Sequence, residues 1–280
     1  MSRDRRLTPA NGRVALSSLA GQVEAERFVE GVTRRISVPV ADLCAAPDGP
    51  RDRQLLLGAE ALILEERGGW TFLQSRADGY TGYVRSDALT DGAEPTHRVT
   101  ARATHVYPRP DMKSPERLAL SMGAMLCAAG TSGNFTETSI GFVPSQHLAP
   151  LADRAPDPVA VAEALVGTPY LWGGNSSFGI DCSGLVQIAL RACGADCPGD
   201  SDLQESAFAS LAAPDGPRRG DLLFWKGHVG WIAGPDLLLH ANAYHMAVAY
   251  EDLDTAIRRI TAQGDGPVTS HVRPNTPEAP

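Results

Sequence analysis

The spacing of apolar and polar residues changes along the chain and predicts a different kind of structure for each part. Residues 11–35 are polar with isolated apolar positions at helical spacing, which predicts a modest amphipathic helix capped by Asn11 in an N-terminal segment, residues 1–36. From residue 36 to about 150, short apolar runs alternate with Gly, Pro, Asp and Ser, a pattern typical of small β-structure. Residues 149–159, rich in Pro, Asp and Ala, are typical of a linker.

The C-terminal part has longer apolar runs. Residues 185–190 combine apolar side chains with good helix formers and are followed by Gly194, which predicts a helix that begins at Cys182. Residues 222–225, 229–233 and 237–239 predict three short strands, the last two joined by a turn at 234–236. Residues 264–280 are polar and Pro-rich, and we predict that they are disordered.

One weak internal repeat lies within the predicted β-structure. The segment GYVRSDAL, from Gly82 to Leu89, is echoed by GFVPSQHL, from Gly141 to Leu148. Chance similarity over eight positions is one interpretation of the match. The other is that two copies of one small domain stand in tandem.

Three residues of the C-terminal part can form the basis of a nucleophilic site. The free N–H groups and the dipole at the start of a helix favour an anion, so we expect the thiol of Cys182 to ionise more readily than a free one. Asp181 or Ser183 could cap the same turn. His228 enters the second predicted strand and His240 closes the third, and antiparallel pairing could bring the two imidazoles together. Each of these residues alone could be structural; together they favour thiol catalysis.

Five motifs carry a resemblance to a known family: P-Y-x-W-G-G, D-C-S-G-L-V, R-G-D-L-L-F, H-V-G-W-I and L-L-H-A-N, in this order within residues 159–260. They resemble the NlpC-type cell-wall cysteine peptidases, a papain-like superfamily. The resemblance implies that Cys182 is the nucleophile, His228 the base and His240 the residue that orients the base. It also implies three residues at the substrate: Tyr170 as a wall of the cleft, and Asp181 and Ser183 as candidate ligands.

The repeated segment resembles the end of bacterial SH3-like domains, which implies two copies at residues 37–91 and 96–150. The expected fold class is therefore α+β. A papain-like cysteine peptidase domain, residues 151–263, would be preceded by two small SH3-like β-barrels and an N-terminal helix.

SH3-like domains ahead of such a peptidase, with no export signal, resemble the dipeptidyl-peptidase VI type of this family. That type cuts the bond between γ-D-glutamate and a diamino acid in free murein peptides with an unblocked N-terminal L-alanine. The resemblance implies cell-wall peptide recycling, with Asp181 near the substrate ammonium. Glu60 and Tyr80 fall where those family members place an acid and a phenol that bind the amine.

Other functions stay open at this point. The same triad could belong to a secreted or phage-associated murein endopeptidase that is anchored by its SH3-like domains. The chain could also be a wall-peptide binding protein or an acyltransferase on the same fold. A metal site is the weakest alternative, because the seven histidines are scattered and no HExxH motif occurs.

Charge and cysteine content bear on the binding partner and on the redox state of the thiols. A formal net charge of −8 over 280 residues argues against nucleic-acid binding. The family resemblance implies a murein-derived peptide as the partner, and we expect no cofactor and no metal. The five cysteines form no C-x-x-C pair, so reduced thiols are the simpler interpretation.

The N-terminus has no continuous apolar h-region and no stretch could span a bilayer, so we expect a cytoplasmic protein. A signal peptide removed before this N-terminus would overturn that expectation. The oligomeric state stays open, and a monomer is compatible with the sequence.

Overall fold

A computed structural model describes residues 3–275 and divides the chain into two compact units, Met1–Pro150 and Leu151–Pro280. The first unit consists of short strands, as its alternating apolar runs predict. Its strands are β1 (Val14–Leu16), β2 (Arg27–Val29), β3 (Val32–Ile36), β4 (Val40–Cys44), β5 (Arg51–Leu56), β6 (Glu60–Arg67), β7 (Trp70–Ser75), β8 (Thr81–Arg85), β9 (Leu89–Thr90), β10 (His97–Val99), β11 (Ala103–Val106), β12 (Leu118–Ser121), β13 (Met125–Leu126), β14 (Ala128–Ser132), β15 (Phe135–Thr138), β16 (Gly141–Pro144) and β17 (Leu148–Pro150).

These strands form two successive β copies. The first copy, β3–β9, is one antiparallel sheet in the order β5-β4-β8-β7-β6-β3-β9. The second copy, β10–β17, is divided among three small sheets with the orders β13-β10-β17, β11-β12 and β14-β15-β16. Its core contains Val99, Val106, Leu120 and Val143, and Leu57 of the first copy packs into the same cluster.

The internal repeat has the same structure in both copies. In each, a strand is followed by a 3-10 turn, Ser86–Ala88 or Ser145–His147, and then by a strand that pairs with the first strand of its copy. The serine that opens each turn bonds to a threonine on the neighbouring strand: Ser86 to Thr71 at 2.8 Å and Ser145 to Thr136 at 2.9 Å. The match of eight residues therefore marks equivalent positions in the two copies.

The predicted N-terminal helix is wrong. In its place, β1 and β2 pair in parallel. The loop between them contains a 3-10 turn at Ser17–Leu19, followed by Gly21, whose φ is 76°. Val14 is fully buried against Leu64 and Phe72 of the first copy. Tertiary packing of an extended segment has thus overridden a weak helical periodicity, as it often does.

The second unit contains four α-helices and one main sheet among its described residues. Its elements are α1 (Pro158–Glu163), β18 (Asn175–Ser176), β19 (Gly179–Ile180), α2 (Cys182–Ala192), α3 (Ser201–Phe208), β20 (Leu222–Trp225), β21 (His228–Gly234), β22 (Leu237–Asn242), β23 (Ala247–Asp252), α4 (Leu253–Ile260) and β24 (Ser270–Val272). The sheet is antiparallel, in the order β23-β22-β21-β20-β24. The helix that begins at Cys182 and the three predicted strands are confirmed. In the part of the chain that the structure describes, no helix has the length and apolar character needed to cross a membrane.

Two helices pack against the sheet. Helix α4 packs on a face that includes Ile232 and Leu238, and α2 packs against β21 and β22. Gly194, with a φ of 78°, follows the end of α2 in a left-handed conformation that glycine adopts readily.

The C-terminal tail is ordered where disorder is predicted. Ser270–Val272 forms β24, an edge strand that pairs with β20. His271 and Arg273 both contact the buried carboxylate of Asp221, at 2.8 and 2.7 Å. The prediction of disorder is therefore wrong for this part of residues 264–280, and residues 276–280 lie outside the described residues.

Candidate active site

The start of α2 is held by the residue before it. Asp181 is the N-cap: its Oδ1 accepts hydrogen bonds from the Gly184 N–H at 2.7 Å and the Ser183 hydroxyl at 2.9 Å. Its Oδ2 accepts the Gly173 N–H at 3.0 Å, which fixes the preceding loop to the helix. Cys182 is therefore the first residue of α2, as predicted. It directly follows the N-cap Asp181, which is itself fixed to the preceding loop.

The loop before Cys182 lies unusually close to the helix. An ideal Cβ at Gly184 would lie 2.5 Å from the carbonyl oxygen of Gly174 and 2.9 Å from Oδ1 of Asn175. Real Cβ atoms essentially never approach another atom to less than 3.0 Å. The glycine of D-C-S-G thus permits the contact between loop and helix that places the cysteine.

Two buried glutamines hold the same region. Gln187 of α2 accepts a hydrogen bond from the Asn175 amide at 3.1 Å and donates to the carbonyl of Cys197 at 2.9 Å. Gln204 of α3 donates to the carbonyl of Ser183 at 2.9 Å. These bonds connect the loop, the nucleophile helix and α3 into one support for Cys182.

The two predicted histidines lie side by side on adjacent strands. Nε2 of His228 and Nδ1 of His240 are 2.8 Å apart. Nε2 of His240 is in turn 3.1 Å from a carboxylate oxygen of Glu251, which Arg259 holds with two hydrogen bonds at 2.6 and 2.8 Å. The structure therefore places four groups in one hydrogen-bonded line.

The thiol of Cys182 is buried, and its environment favours the protonated form. Burial raises the pKa of Cys182 to about 12, and the neighbouring Asp181 carboxylate adds to this effect. The backbone N–H groups of Val229, Ser183 and Cys182 itself oppose the rise. Our expectation of easier ionisation is thus wrong: the helix start is present, but burial outweighs it. The contact with Val229 places the sulfur beside the peptide bond that follows His228.

Both imidazoles are neutral for the same reason. Burial lowers the pKa of His228 to about 3; electrostatic interactions with His240 and Arg259 add to the effect, and Glu251 opposes it. Burial also lowers the pKa of His240 to about 4, against the attraction of Glu251. The resting pair is therefore a thiol and a neutral imidazole, and the proton must move during the reaction.

Three of the residues implied at the substrate belong to the second unit: Tyr170, Asp181 and Ser183. Tyr170 is half-buried in the same site, where burial and the nearby Cys182 and Asp181 raise the pKa of its phenol. Ser183 is buried, with its hydroxyl on Asp181. The roles of Tyr170, Asp181 and Ser183 as substrate contacts stay predictions.

Glu60 and Tyr80 belong to the first unit. Glu60 begins β6 and forms ion pairs with Arg35 at 2.8 Å and Arg76 at 3.8 Å. Tyr80 is 1% exposed, and the Arg53 guanidinium lies 5.2 Å from the centre of its ring. Their roles in amine binding also stay predictions.

Sequence reasoning missed Glu251 and Arg259 as members of the site. Glu251 pairs with Leu238 in the β22–β23 register, which places its side chain on the same face as His240, two residues along. Recognising residues 247–252 as a strand that returns beside His240 would have been the available signal. Trp172, the tryptophan of the P-Y-x-W-G-G motif, is 72% exposed.

The same region contains a group of side chains that a metal ion could in principle use. Donor atoms of His240, His245 and Glu251 lie within 4.8 Å of one another. Glu251 is already paired with the Arg259 guanidinium, whose charge repels a cation, and His240 is engaged on both ring nitrogens. The geometry therefore fits a hydrogen-bond network better than a metal centre.

The arrangement can perform amide hydrolysis through a thioester. His228 takes the proton of Cys182 as the sulfur attacks a carbonyl carbon, and backbone N–H groups at the start of α2 can stabilise the oxyanion. His228 then gives the proton to the leaving amine as the C–N bond breaks. Water hydrolyses the thioester and restores the thiol. The fold and the site together define a papain-like cysteine peptidase.

Comparison with known proteins identifies the family. The sequence model of the NlpC/P60 family matches residues 167–261, and that of the bacterial dipeptidyl-peptidase Sh3 domain matches residues 43–89. Dipeptidyl-peptidase 6 of Lysinibacillus sphaericus is 30% identical over 243 residues, which are 77% of this chain and 89% of that protein. The gamma-D-glutamyl-L-lysine dipeptidyl-peptidase of Bacillus subtilis (strain 168) is 29% identical over 67% of this chain and 71% of its own length. The chain belongs to the NlpC/P60 family.

A solved structure supports the fold. The crystal structure of an NlpC/P60 family protein from Bacillus cereus ATCC 10987 matches with a TM-score of 0.72 and 20% sequence identity, over 88% of this chain and 100% of that one. The predicted α+β class, with a papain-like peptidase domain after SH3-like structure, is therefore confirmed. The N-terminal helix is wrong, and the division into two β-barrels stays a prediction.

Proposed function

We propose that this peptidase hydrolyses the amide bond between γ-D-glutamate and a diamino acid in murein peptides that have a free N-terminal L-alanine. The observation that carries the proposal is the extent of the similarity. Two relatives named as dipeptidyl-peptidases align over two thirds or more of this chain, well beyond the 95 residues of the peptidase match. A function in recycling cell-wall peptides follows from that substrate.

In this reaction the sulfur of Cys182 attacks the γ-carbonyl carbon of D-glutamate. The oxygen gains the negative charge and faces the N–H groups at the start of α2, where the helix dipole also favours an anion. His228 passes the thiol proton to the amine of the diamino acid, which leaves. The remaining γ-glutamyl thioester takes up water and releases L-Ala-γ-D-Glu.

Selectivity for a free N-terminus requires an anion beside the substrate ammonium. Asp181 is adjacent to the nucleophile, and its hydrogen bonds to Gly173, Ser183 and Gly184 use three of about four lone-pair sites of a carboxylate. We propose that the remaining site accepts the ammonium. Glu60 and Tyr80 are further candidates for the same task.

The test is product analysis by mass spectrometry. The substrates are L-Ala-γ-D-Glu-meso-diaminopimelate, the same peptide with L-lysine, its N-acetylated form and intact murein. We expect release of L-Ala-γ-D-Glu from the free-amine peptides only. Cleavage of the blocked peptide or of polymer would reject this specificity in favour of an endopeptidase, and no cleavage of any substrate would favour acyl transfer or binding.

The control variants make one chemical change at two places on the same helix. Cys182→Ala should abolish product formation, because it removes the nucleophile. Cys193→Ala removes a buried thiol at the other end of α2 and should leave activity intact. Equal loss in both variants would point to a folding defect and not to nucleophilic catalysis by Cys182.

A further inference from the structure

A carboxylate and a guanidinium continue the line of hydrogen-bonded groups behind the two imidazoles. We propose that Glu251, fixed by Arg259, is a positioning residue that sets the tautomers of His240 and His228 and stabilises the charge that forms on His228 during attack. The proposal rests on the cysteine peptidase chemistry of the site and is independent of the substrate proposed above.

The fold brings these groups together from three elements. His228 on β21, His240 on β22 and Glu251 on β23 project to one face of the sheet, the face on which α4 packs. Arg259 lies on α4, which begins directly after β23. The sheet register and this short connection therefore determine the line of groups.

The line is shielded from water along most of its length. His240 is fully buried, and the side chains of Glu251 and Arg259 are 8% and 16% exposed. Charge interactions at such positions are screened far less than at the surface. A change of charge at Glu251 should therefore alter the basicity of His228, although the His240 imidazole lies between the two side chains.

The partners determine which ring nitrogens carry protons. The hydrogen bonds from Arg259 lower the pKa of Glu251, which is therefore ionised and can only accept hydrogen bonds. Nε2 of His240 must then carry a proton, so Nδ1 of this neutral ring is an acceptor. Nε2 of His228 must donate to that acceptor, which leaves the lone pair of His228 on Nδ1. The base that takes the thiol proton is therefore Nδ1 of His228.

The same line responds when the proton moves. After His228 accepts the proton of Cys182 on Nδ1, its ring is a cation that donates from Nε2 to His240. His240 is polarised toward Glu251, so the carboxylate stabilises the cation without receiving a proton itself, as the third member of a catalytic triad does. Arg259 weakens this attraction but keeps Glu251 ionised and correctly aimed.

Several other groups face the two rings. The Trp225 ring centre lies 5.7 Å from that of His228 and carries no charge. His245 is close enough to His240 to disfavour its protonation, as is Arg259. Glu251 is the group whose charge raises the pKa of both imidazoles. Its removal should therefore make His228 a weaker base.

The experiment measures the thiol directly and needs no peptide substrate. The full-length protein and its Glu251→Gln and Glu251→Ala variants are treated with iodoacetamide between pH 5 and 10, and the rate at the Cys182 peptide is followed by mass spectrometry. The amide oxygen of glutamine can still accept the His240 N–H, so this variant loses the charge but can keep the tautomer. We expect the rate at pH 7 to fall about tenfold in Glu251→Gln, the equivalent of one pKa unit, and further in Glu251→Ala.

A matched control removes the carboxylate charge of a comparable cluster elsewhere in the second unit. Asp221 lies between His271 and Arg273, as Glu251 lies between His240 and Arg259, but at the opposite end of β20 from the catalytic histidine. Asp221→Asn should lower the melting temperature and leave the pH profile of Cys182 alkylation unchanged. A Glu251→Gln profile identical to that of the wild type would overturn the proposal.

Nitrogen-15 NMR of the wild-type histidines supplies a second readout that does not depend on whether the Glu251 variants fold. With resonances assigned from His228→Ala and His240→Ala, both rings should be protonated at Nε2 and unprotonated at Nδ1 at neutral pH. Protonation of either ring at Nδ1 instead would overturn the proposal. Because neither readout uses a murein peptide, failure of the proposed substrate would leave both results unaffected.

Discussion

Replacing Gly184 by alanine should separate the placement of the nucleophile from its chemistry. The added Cβ would lie 2.5 Å from the Gly174 carbonyl oxygen, so loop and helix must separate by about 0.9 Å to reach ordinary contact at 3.4 Å. The Asp181 carboxylate bridges this junction, since it accepts hydrogen bonds from Gly173 on the loop and from Gly184 on the helix. The displacement should therefore reach Cys182.

The size of the effect follows from two opposing contributions. Overpacking at such a site costs about 1–3 kcal/mol, and alanine recovers about 1 kcal/mol of helix propensity. The net loss of stability should be about 0–2 kcal/mol, so the protein should still fold. A misplacement of about 1 Å can nevertheless reduce turnover about 100-fold. We therefore expect a large loss of kcat with a small change in melting temperature.

The assay compares kcat on the best peptide substrate and the melting curve of the full chain. Gly216→Ala is the matched control, because a Cβ at Gly216 meets no atom within 4 Å. Wild-type kcat in Gly184→Ala would refute the idea that close contact between loop and helix positions the nucleophile. A loss of kcat equal to that of Gly216→Ala would refute it as well.

Three further predictions concern the reactivity of Cys182 and the stability of the first unit. Because burial raises the pKa of Cys182 to about 12, its thiol should react with iodoacetamide at pH 7 more slowly than free cysteine does; a fast rate that is constant below pH 6 would show a preformed ion pair instead. The hydrogen bonds from Arg13 lower the pKa of Glu65 below its ordinary value of 4.5, so its contribution to stability is present above pH 4.5 and is lost as the pH falls through the lowered value. Urea unfolding of Glu65→Gln should therefore depend less on pH in this acidic range, and an unchanged dependence would contradict this. Thr136→Val removes the bond to Ser145 and should cost about 1 kcal/mol, measured as a lower urea midpoint; no shift would contradict a stabilising role for the repeated bond.

The parts of the site that sequence could predict are those determined by local pattern. A loop rich in glycine before an apolar run places Cys182 at the start of a helix, and that holds in the structure. Apolar runs predict the strands of His228 and His240, and the turn between these strands is compatible with their antiparallel pairing. Each inference uses residues that are near one another in sequence.

The parts that sequence could not predict depend on distant partners. Glu251 joins the site through the β22–β23 register, and Arg259 through the packing of α4 on the sheet. Val14 is extended because Leu64 and Phe72, which lie 50 and 58 residues later in the sequence, bury it. The sign of the shift in the pKa of Cys182 depends on the extent of burial, which local pattern does not reveal.

The charges of the site are placed where they act on the transition state and not on the resting enzyme. Cys182, His228 and His240 are neutral at rest, while Glu251 and Arg259 remain ionised two rings away from the sulfur. During attack a negative charge develops at the start of α2 and a positive charge on His228. The helix N–H groups face the first and the Glu251 carboxylate faces the second through His240. Groups that interact more strongly with the transition state than with the ground state are the ones that raise kcat. A neutral resting pair therefore leaves more of this stabilisation for the chemical step than a preformed ion pair would.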